Sequence, residues 1–196
     1  MKRSVWGLSI LATAVFGLIV LPALARSGGQ FGSKLTKNTQ PSNGAPGLKC
    51  KPSEGKSCTF VMNEAYAPPN PDGKQKAPKD GTIKKISIIA ATKGKFRPQI
   101  VERKNGKAAV VEQGPRLSYD GQSGNGDTYE IESFKVNLAV EKGQYLGAKA
   151  KRISFVRCSS GGDNTLIYQP ALKSNQGFEK PSGDDGCWML ISAKYK

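Results

Sequence analysis

The sequence contains no histidine, only 15 acidic residues against 30 Lys and Arg, and few aromatic residues, 8% of the chain. Without histidine, the commonest general base and the commonest metal ligand are missing. A Ser-His-Asp or Cys-His mechanism is thereby excluded. The four cysteines fit no common zinc spacing. Sparse aromatics give no stacking platform for single strands, so specific nucleic-acid recognition is not expected. Long apolar stretches with a 3.6-residue period are also missing, because 23 Gly and 12 Pro interrupt the chain every few residues.

The N-terminus carries an export pattern. Lys2 and Arg3 precede an uncharged run from Val5 to Leu21, Pro22 breaks it, and Ala23-Leu24-Ala25 supplies small residues for a signal peptidase. Residues 1–25 are expected to be a cleaved signal peptide. The apolar run falls just short of the ~20 residues of a spanning helix. No later segment is apolar enough to cross a bilayer, so no transmembrane segment is expected after cleavage. The mature chain would carry 28 Lys and Arg against 15 Asp and Glu, a net charge of +13. The expected location is secreted or in a bacterial cell envelope, outside the cytoplasm.

Cys50, Cys58, Cys158 and Cys187 form an even set, which in an exported chain reads as two disulfides. Three connectivities are open. Cys50–Cys58 with Cys158–Cys187 is the expected one, because each pair is close in sequence and flanks predicted strands.

Residues 26–48 are rich in Gly, Ser, Asn, Pro and Lys and read as a flexible linker. Residues 49–196 then read as one all-β domain. Strands are expected at Thr59–Met62, Thr82–Ala91, Phe96–Arg103, Ala108–Glu112, Tyr129–Val140, Tyr145–Ala150, Ile153–Cys158, Thr165–Gln169 and Cys187–Tyr195. Pro98 predicts an edge or a bulge, and Asn105-Gly106 a tight hairpin turn. Eight or nine short antiparallel strands at this spacing predict a jelly-roll-like β-sandwich.

The C-terminal half has a distinctive order of residues. Cys158 is followed by Gly161-Gly162-Asp163-Asn164-Thr165-Leu166, then Gln169-Pro170, then Asp185-Gly186-Cys187-Trp188-Met189-Leu190. This resembles a group of secreted bacterial proteins that end in a Cys…Gly-Gly-x-Asn-Thr-Leu…Gln-Pro…Asp-Gly-Cys-Trp pattern. The Asp80-Gly81-Thr82-Ile83 start and the Val140–Gly147 turn are similar to it as well, and to carbohydrate-binding-module-like sandwiches. The resemblance spans roughly residues 80–195. It implies fold and export, with no catalytic residue or ligand attached.

Several candidate chemistries remain. Glu130 and Glu132, two apart on a predicted strand, would face one way ~6–7 Å apart, a spacing compatible with a glycosidase pair. Solvated side chains on a wet face are the plainer reading. Asp120, Asn125 and Asp127, or Asp163, Asp184 and Asp185, offer oxygens for a structural calcium ion, although turn chemistry accounts for Asp and Asn beside Gly. No other cofactor is implied. Trp188 and Tyr168 could stack on a sugar, but a tryptophan next to a disulfide is more often core.

The basic charge is the strongest functional signal. Gly73 to Lys107 holds eleven Lys and Arg against Asp80 and Glu102, a net of +9. Lys84, Lys85, Lys93, Lys95, Arg97 and Arg103 are the candidate residues for an anionic ligand. The expected function is a non-enzymatic binding module for a cell-envelope or extracellular glycan or another anionic polymer. The alternatives are a carboxylate-based hydrolase and a structural surface protein with no small ligand.

Overall fold

A computed structural model describes residues 28–42, 47–51, 57–66, 74–122, 128–158 and 162–196. The predicted signal peptide lies outside these residues. Among them there is no helix: the fold is all-β, with every paired strand antiparallel to its neighbour. No helix among them is long and apolar enough to cross a membrane.

The first sheet has four strands. β1 (Gly29–Gly32) pairs with β15 (Ile191–Tyr195), which pairs with β4 (Gly81–Ile88), which pairs with β8 (Glu132–Val140). The second and larger sheet runs β13 (Gly183–Asp185), β12 (Thr165–Tyr168), β3 (Cys58–Met62), β9 (Tyr145–Ala150), β5 (Gly94–Lys104) and β6 (Lys107–Gln113), and β7 (Leu117–Tyr119) also pairs with β5. Two short ribbons complete the fold: β2 (Leu48–Lys49) with β10 (Arg152–Ile153), and β11 (Val156–Cys158) with β14 (Cys187–Met189).

Strand alternation builds one core shared by the two sheets. The first sheet contributes Ile83, Ile86, Ile88, Leu138 and Ile191. The second contributes Phe60, Met62, Phe96, Ile100, Leu146 and Ala148. Each of these side chains is at most 2% exposed. Fully burying one such side chain is worth about 1.5–3 kcal/mol, so this layer dominates stability.

The second sheet is also buried on part of its other face. Val61, Val101, Ala108, Val110, Tyr145, Leu166, Tyr168 and Leu172 form a separate cluster there. Residues 169–182 lie over it. Ala108 and Glu179 exchange backbone hydrogen bonds at 2.8 and 2.9 Å. Beneath, the Thr59 hydroxyl donates to Gln99 Oε1 (2.9 Å) and accepts from the Leu172 amide (3.0 Å). Gln99 Nε2 donates to Gln113 Oε1 (3.0 Å) and to the Leu172 carbonyl (3.3 Å). These buried polar groups are thus satisfied, as burial demands.

The hairpin turn at Asn105-Gly106 has both residues at positive φ, 52° and 73°, as a tight two-residue connection requires. Pro98 lies inside β5, between Phe96, the last residue paired to β7, and Gln99, the first paired to β6. The ladder changes partner where the proline has no N–H to donate. A bulge follows at Ile100/Val101.

Three expectations need correction. The segment 26–48 is not wholly a linker. β1 forms a sheet edge, and Phe31 is 1% exposed in the core, with its ring edge-on to Tyr195 at 6.0 Å. Ile153–Cys158 and Cys187–Tyr195 are each split between two ribbons or sheets, because the chain crosses from one pairing to another at Ser154-Phe155 and at Leu190. Strand β8 begins at Glu132 rather than Tyr129.

Two disulfides join Cys50 to Cys58 and Cys158 to Cys187. The second links residues directly opposite in the β11–β14 ribbon. The pair of disulfides and the lack of a membrane-crossing helix among the described residues are compatible with an extracellular protein.

Candidate anion-binding site

Alternation along β5 and β9 builds this site. In β5, Phe96 and Ile100 face the shared core, while Gln99 and Val101 turn to the opposite side, beneath residues 169–182. Lys95 and Arg97 continue that second row beyond the covering segment. In β9, Leu146, Ala148 and Ala150 face the core, and Tyr145 and Lys149 take the other side. Arg97 and Lys149 are directly opposite in the β5–β9 ladder.

Beyond the covered cluster, this face opens into a cleft of about 410 Å³. Its cations come from four places. Lys93, Lys95 and Arg97 lie at or in the start of β5, Arg116 precedes β7, Lys149 is in β9, and Lys151 and Arg152 follow it. The remaining lining residues are Ser57, Gly94, Phe96, Tyr119 and Ala150, so no acidic residue lines the cleft. Of the cations only Lys149 is half-buried; the others are exposed. Arg97 reaches the Gly114 carbonyl at 3.4 Å, and Arg152 reaches the Thr92 hydroxyl at 3.4 Å. Both contacts are long, leaving the guanidinium charge available to a ligand. Two core rings also border the cleft: Phe96 packs on Tyr119 and on Phe155, with ring centroids 6.0 and 5.0 Å away. Burial pushes the Tyr119 phenol above its usual range, opposed by hydrogen bonding with Ser154.

The ladders carry a wider charge signature. Wherever two charged residues stand directly opposite, both are basic: Arg97 with Lys149, Arg152 with Lys49, Lys104 with Lys107, and Lys85 with both Lys135 and Lys194. Like charges so placed destabilise a sheet. The chain has 15 acidic residues, yet none sits opposite a cation in the described ladders.

The structure divides the six candidate cations. Lys93, Lys95 and Arg97 line the cleft. Lys84 and Lys85 belong to the first sheet, where Lys84 donates to Asn137 Oδ1. Arg103 takes part in neither: it donates to Asn63 Oδ1 (2.7 Å) and its guanidinium lies 4.8 Å from the centre of the Tyr145 ring. Arg116, Lys149, Lys151 and Arg152 were not among the candidates. Lys149-Ala150-Lys151-Arg152 is visible as a basic run, but only strand pairing brings it to Arg97.

The other candidates fall elsewhere. Glu130 and Glu132 do not share a strand, since β8 starts at Glu132. The Glu132 carboxylate accepts the backbone N–H groups of Asp120 and Gly121, each at 3.0 Å, and so fixes a loop. Of the calcium candidates, Asn125 and Asp127 lie outside the described residues. Asp185 accepts the Cys187 amide (2.9 Å), and Asp163 and Asp184 are exposed. The sulfurs of Cys158 and Cys187 lie near Asp185 but are bonded to each other, so they offer no thiolate. Tyr168 is buried at 1% exposure, out of reach of a sugar. Trp188 departs from the expected core position: it is half-buried, with its ring 5.6 Å from that of Tyr66, which Arg157 covers at 5.2 Å.

No protein-family model, curated protein or solved structure matches the chain.

Proposed function

We propose that this chain is an exported, non-enzymatic β-sandwich module, jelly-roll-like in architecture, that binds an anionic glycan of the cell envelope or extracellular space. The observation that carries this reading is the cleft between β5 and β9, where seven cations from separate strands converge with no acidic residue among the lining side chains. Such a field concentrates polyanions and speeds their capture. The export pattern of residues 1–25 and the two disulfides support a site of action outside the cytoplasm. The resemblance to secreted bacterial sandwiches and carbohydrate-binding-like modules agrees with a glycan as the polyanion. The cleft is open to solvent, which suits a polymer running through it rather than an enclosed small molecule.

The test is retention of the disulfide-bonded protein on immobilised heparin, used as a sulfated glycan probe, and on a neutral glucan. Retention on heparin at low salt, released by high salt and weakened by Arg97→Gln with Lys149→Gln, is expected. Equal retention on the neutral glucan, or none on heparin at low salt, overturns the proposal.

A further inference from the structure

A second basic arrangement lies on the other sheet. Lys194 of β15 is directly opposite Lys85 of β4, and Lys85 is directly opposite Lys135 of β8. The three lysines thus form one row across three adjacent strands. Neighbouring strands are ~4.8 Å apart, so the three lysines leave the backbone at about that repeat across the sheet. Ile86 and Ala193, next along the same strands, turn into the shared core, and Phe134 packs against it. The lysine row therefore faces outward, away from that core. Gln30 of β1 lies opposite Lys194 and extends the row.

The row borders a cleft of about 470 Å³, lined by Lys84, Lys85, Lys194 and Lys196, with no acidic side chain in the lining. None of Lys85, Lys135 and Lys194 forms an ion pair among the described residues. Three like charges in register cost the sheet stability, and no ion pair among the described residues offsets it. An anion bound from outside would offset it. Arg97 and Lys149 of the β5–β9 cleft also lie on the side away from the shared core, but on the second sheet. A strand held in one is thus separated from the other by the thickness of the core.

We infer that the Lys135–Lys85–Lys194 row is a second anion-binding face, which takes a separate strand of the same anionic glycan, so that one molecule bridges two strands. This rests on the glycan reading above. Bridging raises the effective concentration of each strand at the other face and gives avidity without new contacts.

The experiment uses two steps. Disulfide-bonded protein is first bound to immobilised heparin, and capture of a labelled heparin chain from solution is then measured. Wild-type protein is expected to capture the second chain. The variant Lys85→Gln with Lys194→Gln should still be held in the first step through the β5–β9 cleft, though released at lower salt, and should capture at least about tenfold less. Arg97→Gln with Lys149→Gln should also lose bridging while binding once through the row. Thermal unfolding checks folding, and the lysine variant should melt no lower than wild type, since a repulsive row has been relieved. Undiminished capture by that variant overturns this inference and leaves the cleft reading standing. Loss of all first-step retention in the lysine variant, with the Arg97/Lys149 variant unaffected, overturns the cleft reading and keeps the row as the binding face. No second-chain capture by wild-type protein that binds heparin once overturns bridging alone.

Discussion

Arg97 of β5 stands directly opposite Lys149 of β9, two cations on neighbouring strands that both line the cleft. Opposition of like charges destabilises a sheet by up to ~1 kcal/mol. The long contact to the Gly114 carbonyl, 3.4 Å, returns little of that. Arg97→Gln is therefore expected to raise stability at low salt by a few tenths to ~1 kcal/mol, and the gain should shrink as salt screens the pair. The same change should weaken heparin retention. Urea unfolding at two ionic strengths checks the first part. A variant less stable than wild type at low salt would mean that Arg97 is held by attraction, not tolerated for its charge.

Phe31 tests the reassignment of the N-terminal segment. It is 1% exposed and packs edge-on to Tyr195. Phe31→Ala is expected to cost about 3–5 kcal/mol, as for other large core deletions. Lys34→Ala, an exposed change in the same segment, should be close to neutral. Denaturant midpoints for both variants decide the matter. A neutral Phe31→Ala would return residues 28–32 to the status of a linker.

The contrast between these positions shows what the sequence made legible. Alternation in Phe134-Lys135-Val136-Asn137-Leu138 reads directly as a strand with one wet face, and the structure has that strand. Asn105-Gly106 reads as a turn because both residues tolerate positive φ. Phe31 was not legible, since one aromatic among Gly, Ser and Lys gives no period, and the β15 edge that accepts it is remote in sequence. The cleft was half legible. Lys93, Lys95 and Arg97 belong to the dense basic segment, but Lys149 joins them only through long-range pairing, which no local pattern encodes. Lys84 and Lys85 lie in the same dense segment and yet end on the other sheet.

Thr59 holds the covering segment 169–182 in place. Its hydroxyl is shared between Gln99 Oε1 and the Leu172 amide, both in a buried setting. Thr59→Val keeps the shape and strands both partners. The expected loss is about 2 kcal/mol or more, since each unsatisfied buried group costs ~1–3 kcal/mol. Hydrogen exchange should locate it: the amides of Leu172 and its neighbours should exchange faster, while β4 and β15 change only as much as global stability does. Unchanged protection at Leu172 would show that the apolar cluster alone secures the segment.

Tyr168 carries the opposite prediction. It is 1% exposed, and its hydroxyl has no hydrogen-bond partner among the described residues. Burial raises its pKa above the ordinary 10.0, with the Arg103 charge opposing the shift. Tyr168→Phe deletes the unsatisfied group and keeps the ring, so stability at neutral pH should hold or rise by ~1 kcal/mol. The sign with pH follows from linkage. The folded state favours the protonated phenol, so the contribution is complete below pH ~10 and is lost as pH rises through the folded-state pKa. Tyr119 and Tyr195 are raised in the same direction, and all three should make the wild type less stable in alkali. The advantage of Tyr168→Phe should accordingly grow above pH ~10, because one of those ionisations is gone. Unfolding free energies at neutral and alkaline pH measure this. A variant destabilised at neutral pH, or an advantage that fails to grow in alkali, would mean that the hydroxyl is paired and that its burial does not penalise ionisation.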